Sequence, residues 1–230
     1  IEVAGHILWL DGNGKITREN SSFEHPAANA FSLVEVADCP GATPTCKQVC
    51  YVTRMDHDPF HAAYEHNSRE IRRIVGCDDE WKVTLDLAAW IKKHCAGGFR
   101  WHVSGDIYSL EYAKFIAAVC LYDSAVPFWL YTRSFDYLEP LRVVPNLTVN
   151  LSADQDNYAQ ALRLSRQTGF RICYLTVDGS VPDLPEGSVI FPDHRLRASG
   201  PMTRRKVDRA ATWWASVTGA QMIMVCLADL

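Results

Sequence analysis

The chain is 230 residues long, 48% hydrophobic and 22% charged, which is enough to bury a full core and suits one large domain better than two small ones. A net charge of −4 and a pI of about 6.1 withhold the positive field on which nonspecific nucleic-acid binding depends, and so argue against nucleic acid as a partner. The longest apolar stretch, Phe115 to Tyr122, is far too short to cross a bilayer, and the Ile-Leu-Trp-Leu run near the start lacks the basic flank and length of a signal peptide, so the expectation is a cytoplasmic protein without a membrane partner.

In chain order, an opening segment rich in Gly, Asn and Ser leads to Phe31-Ser-Leu-Val-Glu-Val36, expected as a strand that runs into a loop of cysteines. Two helical patterns follow, Pro59 to Val75 and Asp79 to His94, the second ended by Gly97-Gly98. From Phe99 the period alternates between 2 and 3.6. Strands are expected at Phe99 to Ser104, Phe128 to Thr132, Leu147 to Leu151, Arg171 to Val177, Val189 to Phe191 and Met222 to Leu227. The helices between them are Leu110 to Tyr122, Phe135 to Val143, Asn157 to Thr168 and Met202 to Val217. Such alternation implies right-handed βαβ crossovers and a parallel sheet of about seven strands, either open and doubly wound or a partial (β/α) barrel. In both cases function sits at the carboxyl ends of the strands.

Eight cysteines in a reducing compartment are not a disulfide framework. Cys77, Cys95, Cys120, Cys173 and Cys226 stand singly in apolar or helical surroundings, as small buried hydrophobes do. Cys39, Cys46 and Cys50 instead fall within the twelve residues Cys39-Pro-Gly-Ala-Thr-Pro-Thr-Cys46-Lys-Gln-Val-Cys50, whose Pro and Gly favour turns. Three thiolates can ligate three irons of a [4Fe–4S] cluster and leave the fourth iron open. A structural zinc site normally takes four tetrahedral ligands, and a set of unrelated free thiols is the third reading.

Three strand ends offer polar groups. Arg100-Trp-His-Val-Ser-Gly-Asp106 places Ser104, Gly105 and Asp106 just before a helix, with Gly105 admitting a close backbone approach and Asp106 an amino group or metal. Asp106 starting a turn and His102 serving as a core residue are the plainer alternatives. Arg133 offers a planar fork for a carboxylate or phosphate, and Ser152 with Asp154 offers hydrogen bonds to ribose hydroxyls; helix capping by Ser134 and Asp154 is the competing explanation. Asp178 and the Asp193-His194 pair are weaker candidates. The run from Arg195 to Arg209 reads as a solvated helix start.

With Asn13-Gly-Lys, Phe31-Ser-Leu, the cysteine loop through Tyr51, His102-Val-Ser-Gly-Asp106 and Trp129-Leu-Tyr-Thr-Arg-Ser134 in this order, the chain resembles the bacteriophage gene product 88 domain family. More remotely, its element order looks like that of radical S-adenosylmethionine (SAM) enzymes. That likeness implies a partial parallel (β/α)6-type barrel with the open iron at its mouth, Ser104, Gly105 and Asp106 at the methionine amino group, and Ser152 and Asp154 at the ribose. Two functions compete: cluster-assisted radical chemistry on bound SAM, and a nonenzymatic cluster protein for electron transfer, sensing or binding of a host protein, its fourth iron held by Asp106, His102 or another side chain. A zinc-stabilised interaction module is the third. The substrate or partner, an unidentified small molecule or a host protein, is not encoded in any motif.

Overall fold

The computed structural model describes residues 1–11, 29–50, 52–54, 58–95 and 97–193. The expected helix Met202 to Val217, strand Met222 to Leu227, basic run Arg195 to Arg209, His194, Cys226, Tyr51 and Asn13-Gly-Lys lie outside the described residues.

The chain opens with a hairpin that the sequence reading did not anticipate. Strands β1 (Glu2–Val3) and β2 (His6–Ile7) pair antiparallel around Ala4 and Gly5, whose φ angles of 46° and 83° both lie in the left-handed region that a tight hairpin turn requires. Then follow β3 (Leu10–Asp11), β4 (Ala30–Phe31), α1 (Pro44–Val49), α2 (Asp58–Ile74), α3 (Glu80–His94), β5 (Phe99–Trp101) and α4 (Leu110–Leu121). The rest are β6 (Phe128–Thr132), β7 (Leu147–Ala153), α5 (Tyr158–Thr168), β8 (Arg171–Thr176) and β9 (Val189–Pro192).

Strands β3 to β9 form one seven-stranded sheet in sequence order. Pair β3–β4 is antiparallel, whereas β4–β5, β5–β6, β7–β8 and β8–β9 are parallel. The fold is thus mixed α/β with a mostly parallel sheet, as alternating periods imply. The described residues fall into two compact units, Ile1–Ala42 with Cys50–Val149, and Thr43–Val49 with the chain from Asn150 on. No helix among the described residues is long and apolar enough to cross a membrane.

In the first unit one face of the sheet is aromatic. Trp101 is fully buried and meets Phe31, Phe99 and Phe115 edge-on, with ring centroids 6.0, 5.4 and 6.5 Å apart. Its indole Nε1 donates to Cys120 Sγ of α4 at 3.4 Å, so even the polar tip of this side chain is satisfied indoors. Helix α4 begins where Ser109 Oγ accepts from Tyr112 N at 3.1 Å, and in the second unit α5 stops at Gly169, whose φ of 76° suits a glycine C-cap.

Three elements differ from expectation. The strand expected from Phe31 to Val36 ends at Phe31, because α2 supplies the missing ladder partners through side chains. Asn67 Oδ1 accepts from Trp9 N at 2.9 Å and its Nδ2 donates to Trp9 O and Ser32 O, while Ser68 Oγ accepts from Val34 N at 3.0 Å. The strand expected from Phe99 to Ser104 ends at Trp101, because His102 turns left-handed with φ 64°. The stretch Phe135 to Val143 forms two 3₁₀ turns, Phe135–Tyr137 and Glu139–Leu141, rather than an α-helix. Pro140 withholds an N–H there and disfavours helical geometry at the residue before it.

Asn67→Ala should therefore cost about 1–3 kcal/mol, since it strands the buried Ser32 carbonyl and leaves the part-buried backbone groups of Trp9 without their partner. Urea unfolding measures this; an unchanged midpoint would show that water replaces the side chain without loss.

Candidate functional site

The first arm of the cysteine segment belongs to the first unit. Residues Cys39 to Ala42 form a turn closed by Ala42 N donating to Cys39 O at 3.0 Å, with Pro40 fixing its φ. Gly41 lies directly on the end of β6: a Cβ added there would stand 2.0 Å from Arg133 O and 2.8 Å from Ser134 N. Only a residue without a side chain permits that approach. Gly105 does the same on the β5 side, where φ is 79° and a Cβ would fall 2.6 Å from Leu33 Cβ. Leu33 N donates to Ser104 O, and Asp106 N donates to Asp38 O, both at 2.9 Å.

Asp106 organises these ends. It is buried, its Oδ1 accepts from Ile107 N at 2.7 Å, and its Oδ2 accepts from Arg133 N at 2.8 Å. Burial raises its pKa above the ordinary carboxylate value, while the Thr132 hydroxyl and the backbone N–H groups of Arg133 and Ile107 pull it back. The carboxylate ties the end of β5 to that of β6, and the backbone N–H of the same residue ties them to Asp38, just before Cys39. Of the residues read from the sequence, Ser104, Gly105, Asp106 and Arg133 thus do meet at the start of the cysteine segment, but the carboxylate spends both oxygens on protein donors.

His102 turns into the core instead. It is 2% exposed, its Nε2 shares a 2.8 Å hydrogen bond with the buried Tyr112 hydroxyl, and its Nδ1 has no hydrogen-bond partner among the described residues. Desolvation, with a smaller push from Arg100, lowers its pKa to about 3, so the ring is neutral. Tyr112 stacks on Tyr108 at 4.6 Å and 13°, and the Arg72 guanidinium sits 3.9 Å above the Tyr108 ring while pairing with Asp38. Arg72, Asp38, Tyr108 and Tyr112 escaped the sequence reading. Asp38 alone carried a signal, a carboxylate directly before Cys39.

The second arm belongs to the second unit. Thr43 caps α1, its Oγ1 accepting from Cys46 N at 3.0 Å ahead of Pro44, the arrangement a Thr-Pro pair encodes at a helix start. That hydroxyl donates to Asp154 Oδ2 at 2.5 Å, and Thr45 N donates to Asp156 Oδ2 at 2.9 Å. Asp154, fully buried, also accepts through Oδ1 from Asp156 N at 3.0 Å. The Thr45 N–H holds the Asp156 carboxyl below its usual range. Ser152 is half-buried, and its carbonyl accepts from Asn157 Nδ2 at 3.2 Å. Asp154 therefore anchors the segment that carries Cys46, whereas the residue that precedes α5 as its N-cap is Asn157, not Asp154.

Cys39, Cys46 and Cys50 are all half-buried, and none of the described cysteines forms a disulfide. Burial pushes the thiols of Cys95 and Cys120 up to about 12, which unfits them for thiolate chemistry, and Cys173 is buried as well. Among the described residues no three His, Cys, Asp or Glu side chains are gathered closely enough to hold a metal ion. Cys39, Cys46 and Cys50 are thus not gathered into a metal-holding group in this structure, and Cys77, expected to be buried, is half-buried like them.

A family model described as gene product 88 matches residues 7–216. No curated protein and no solved structure matches the chain.

Gly41→Ala should force the Cys39 arm off the end of β6 and lower stability by about 1–3 kcal/mol or more, read as a fall in unfolding midpoint. Wild-type stability in that variant would refute the close approach. His102 yields a pH signature. Its pKa is about 3 in the folded chain against 6.5 free, so the unfolded state binds more protons between these values. Stability should fall as pH drops from about 6.5 toward 3, by at most ~1.4 kcal/mol per unit from this residue. His102→Asn, whose side chain tolerates the left-handed backbone, should flatten that part of the curve in urea unfolding across the acid range.

Proposed function

The chain belongs to the gene product 88 family, and on that premise we propose that it is a phage-encoded iron–sulfur protein in which Cys39, Cys46 and Cys50 hold a [4Fe–4S] cluster. The observation that carries this reading is the pairing of three half-buried thiols on one short segment with anchors at each of its arms. Gly41 on the end of β6 and Asp106 fix the first arm, and Asp154 with Asp156 fixes the second. Such anchoring limits the ordering that the segment would still need when its thiols close on a cluster. A bound cluster would supply one-electron chemistry, and Cys39, Cys46 and Cys50 would be its thiolate ligands.

The sheet is read as part of a (β/α)6-type barrel resembling the radical SAM core, with the cluster at the carboxyl ends of its strands. The function is nonenzymatic: electron transfer, sensing or binding of a host protein in the host cytoplasm, where thiols stay reduced. What favours this over SAM chemistry is the use to which the two carboxylates are put. Asp106 and Asp154, the groups that would meet the amino and ribose groups of SAM, each accept two or more hydrogen bonds from the protein itself. Asp106 and His102 are also poor fourth ligands, the first saturated and the second engaged at Nε2 with only a buried Nδ1 remaining.

Anaerobically purified protein should be brown and contain iron and acid-labile sulfide in near-equal amounts. Cys39→Ser, Cys46→Ser or Cys50→Ser should each abolish cluster retention, whereas Cys120→Ser and Cys173→Ser should change only stability. Colourless protein with one zinc per chain would replace the cluster by a zinc-stabilised interaction module. Adding SAM to the reduced protein should leave its spectrum unchanged; a change would move the reading to a radical SAM enzyme.

A further inference from the structure

We propose that Arg100, Trp129 and Tyr131 form a binding site for a small planar ring that carries an oxyanion, a carboxylate or a phosphate. The site is separate from the cysteine segment and stands with or without a bound metal. Strands β5 and β6 are interior strands of the sheet, and their side chains alternate between its faces. Phe99, Trp101, Phe128 and Leu130 are buried on the face that Trp101 shares with Phe115 and Cys120 of α4. Arg100, Trp129 and Tyr131 lie on the opposite face and are half-buried. Arg100 stands directly across from Trp129 in the ladder, and Tyr131 follows two positions on. A parallel sheet usually covers both faces with apolar side chains, so a guanidinium and two half-buried rings on interior strands are a departure that a ligand explains.

The guanidinium is held in place before any ligand arrives. Its Nε donates to His102 O at 3.1 Å, and its Cζ lies over the Tyr131 ring, 5.2 Å from the centroid. Among the described residues neither terminal nitrogen has a hydrogen-bond acceptor, and no carboxylate stands within ion-pair distance. Asp11, across Ala30 on the same face, is engaged elsewhere: burial raises its pKa, and the Ser32 and Tyr64 hydroxyls lower it more than Arg100 does. The positive charge is thus left for a ligand. A fork fixed at Nε turns its terminal N–H groups toward paired oxygens, the geometry of a carboxylate or phosphate. Trp129 supplies a flat surface beside it. A Cβ added at Gly98 would fall 2.8 Å from Cζ3 of that ring, so the indole lies against β5 where only a glycine leaves room. An indole and a phenol within two ladder positions of the cation favour a planar, apolar body on the ligand.

The test uses the purified full chain with benzoate and phenyl phosphate, with benzyl alcohol as the ring without charge, and with inorganic phosphate as the charge without ring. Saturation-transfer NMR and calorimetric titration measure binding to wild type, Arg100→Gln, Trp129→Leu and Arg142→Gln, the last removing an exposed arginine paired with Glu139. Circular dichroism checks folding. Wild type should bind benzoate or phenyl phosphate at least about 10-fold more tightly than either control compound, and the tighter of the two tells carboxylate from phosphate. Arg100→Gln should weaken that binding by about 10-fold or more, Trp129→Leu should weaken it as well, and Arg142→Gln should leave it unchanged. A wild-type chain that binds neither aromatic anion would overturn the proposal, as would equal binding after Arg100→Gln. If Arg100→Gln fails to fold, Arg100→Lys decides, since it keeps the charge without the planar fork, and unchanged affinity in that variant overturns the proposal.

Discussion

The carboxylate of Asp106 is the contact on which the cysteine-bearing end of the first unit depends. Where parallel strands stop, their last N–H groups lose ladder partners, and burying them unpaired costs about as much as a lost hydrogen bond. Asp106 accepts from Ile107 on its own strand end and from Arg133 on the next, and its own N–H reaches Asp38. One charged side chain thereby replaces several backbone partners. The local polarity is high enough to keep it indoors, although burial still raises its pKa.

The second unit solves the same problem with Asp154. That carboxylate closes the end of β7 by accepting from Asp156 N, and it grips Thr43, which caps the short helix bearing Cys46. Both carboxylates sit at strand ends where a parallel α/β protein usually meets its ligand. Here that position is given to holding the segment that carries the thiols. Glycine serves the same purpose by omission, since a methyl group at Gly41 or Gly105 would collide with backbone or with Leu33.

Around this anchor the aromatic core sets what the neighbouring groups can do. Trp101, Phe31, Phe99 and Phe115 fill one sheet face and leave His102 no water, so its ring stays neutral and bonded to Tyr112. The stack from Tyr112 through Tyr108 to Arg72 ends at Asp38, next to Cys39. Packing on the helices is thus linked to charge beside the thiols, through contacts between residues far apart in the chain.

The sequence by itself determined the family, the alternation of strands and helices, and the crowding of three thiols into one segment. Each of these is local: β6 coincides with its apolar run, α5 ends at Gly169, and Cys39, Cys46 and Cys50 share one short segment rich in Pro and Gly. What tertiary structure alone decided was the work of the polar residues. Asp106 and Asp154 looked like ligand groups because a carboxylate at a strand end reads the same whether it faces a substrate or a backbone N–H. The early ends of β4 and β5 were equally hidden, since they follow from Asn67 and Ser68 of a distant helix and from the left-handed turn at His102. Arg72 escaped notice because its partner lies 34 positions away, and only the packing of α2 brings its guanidinium to Asp38.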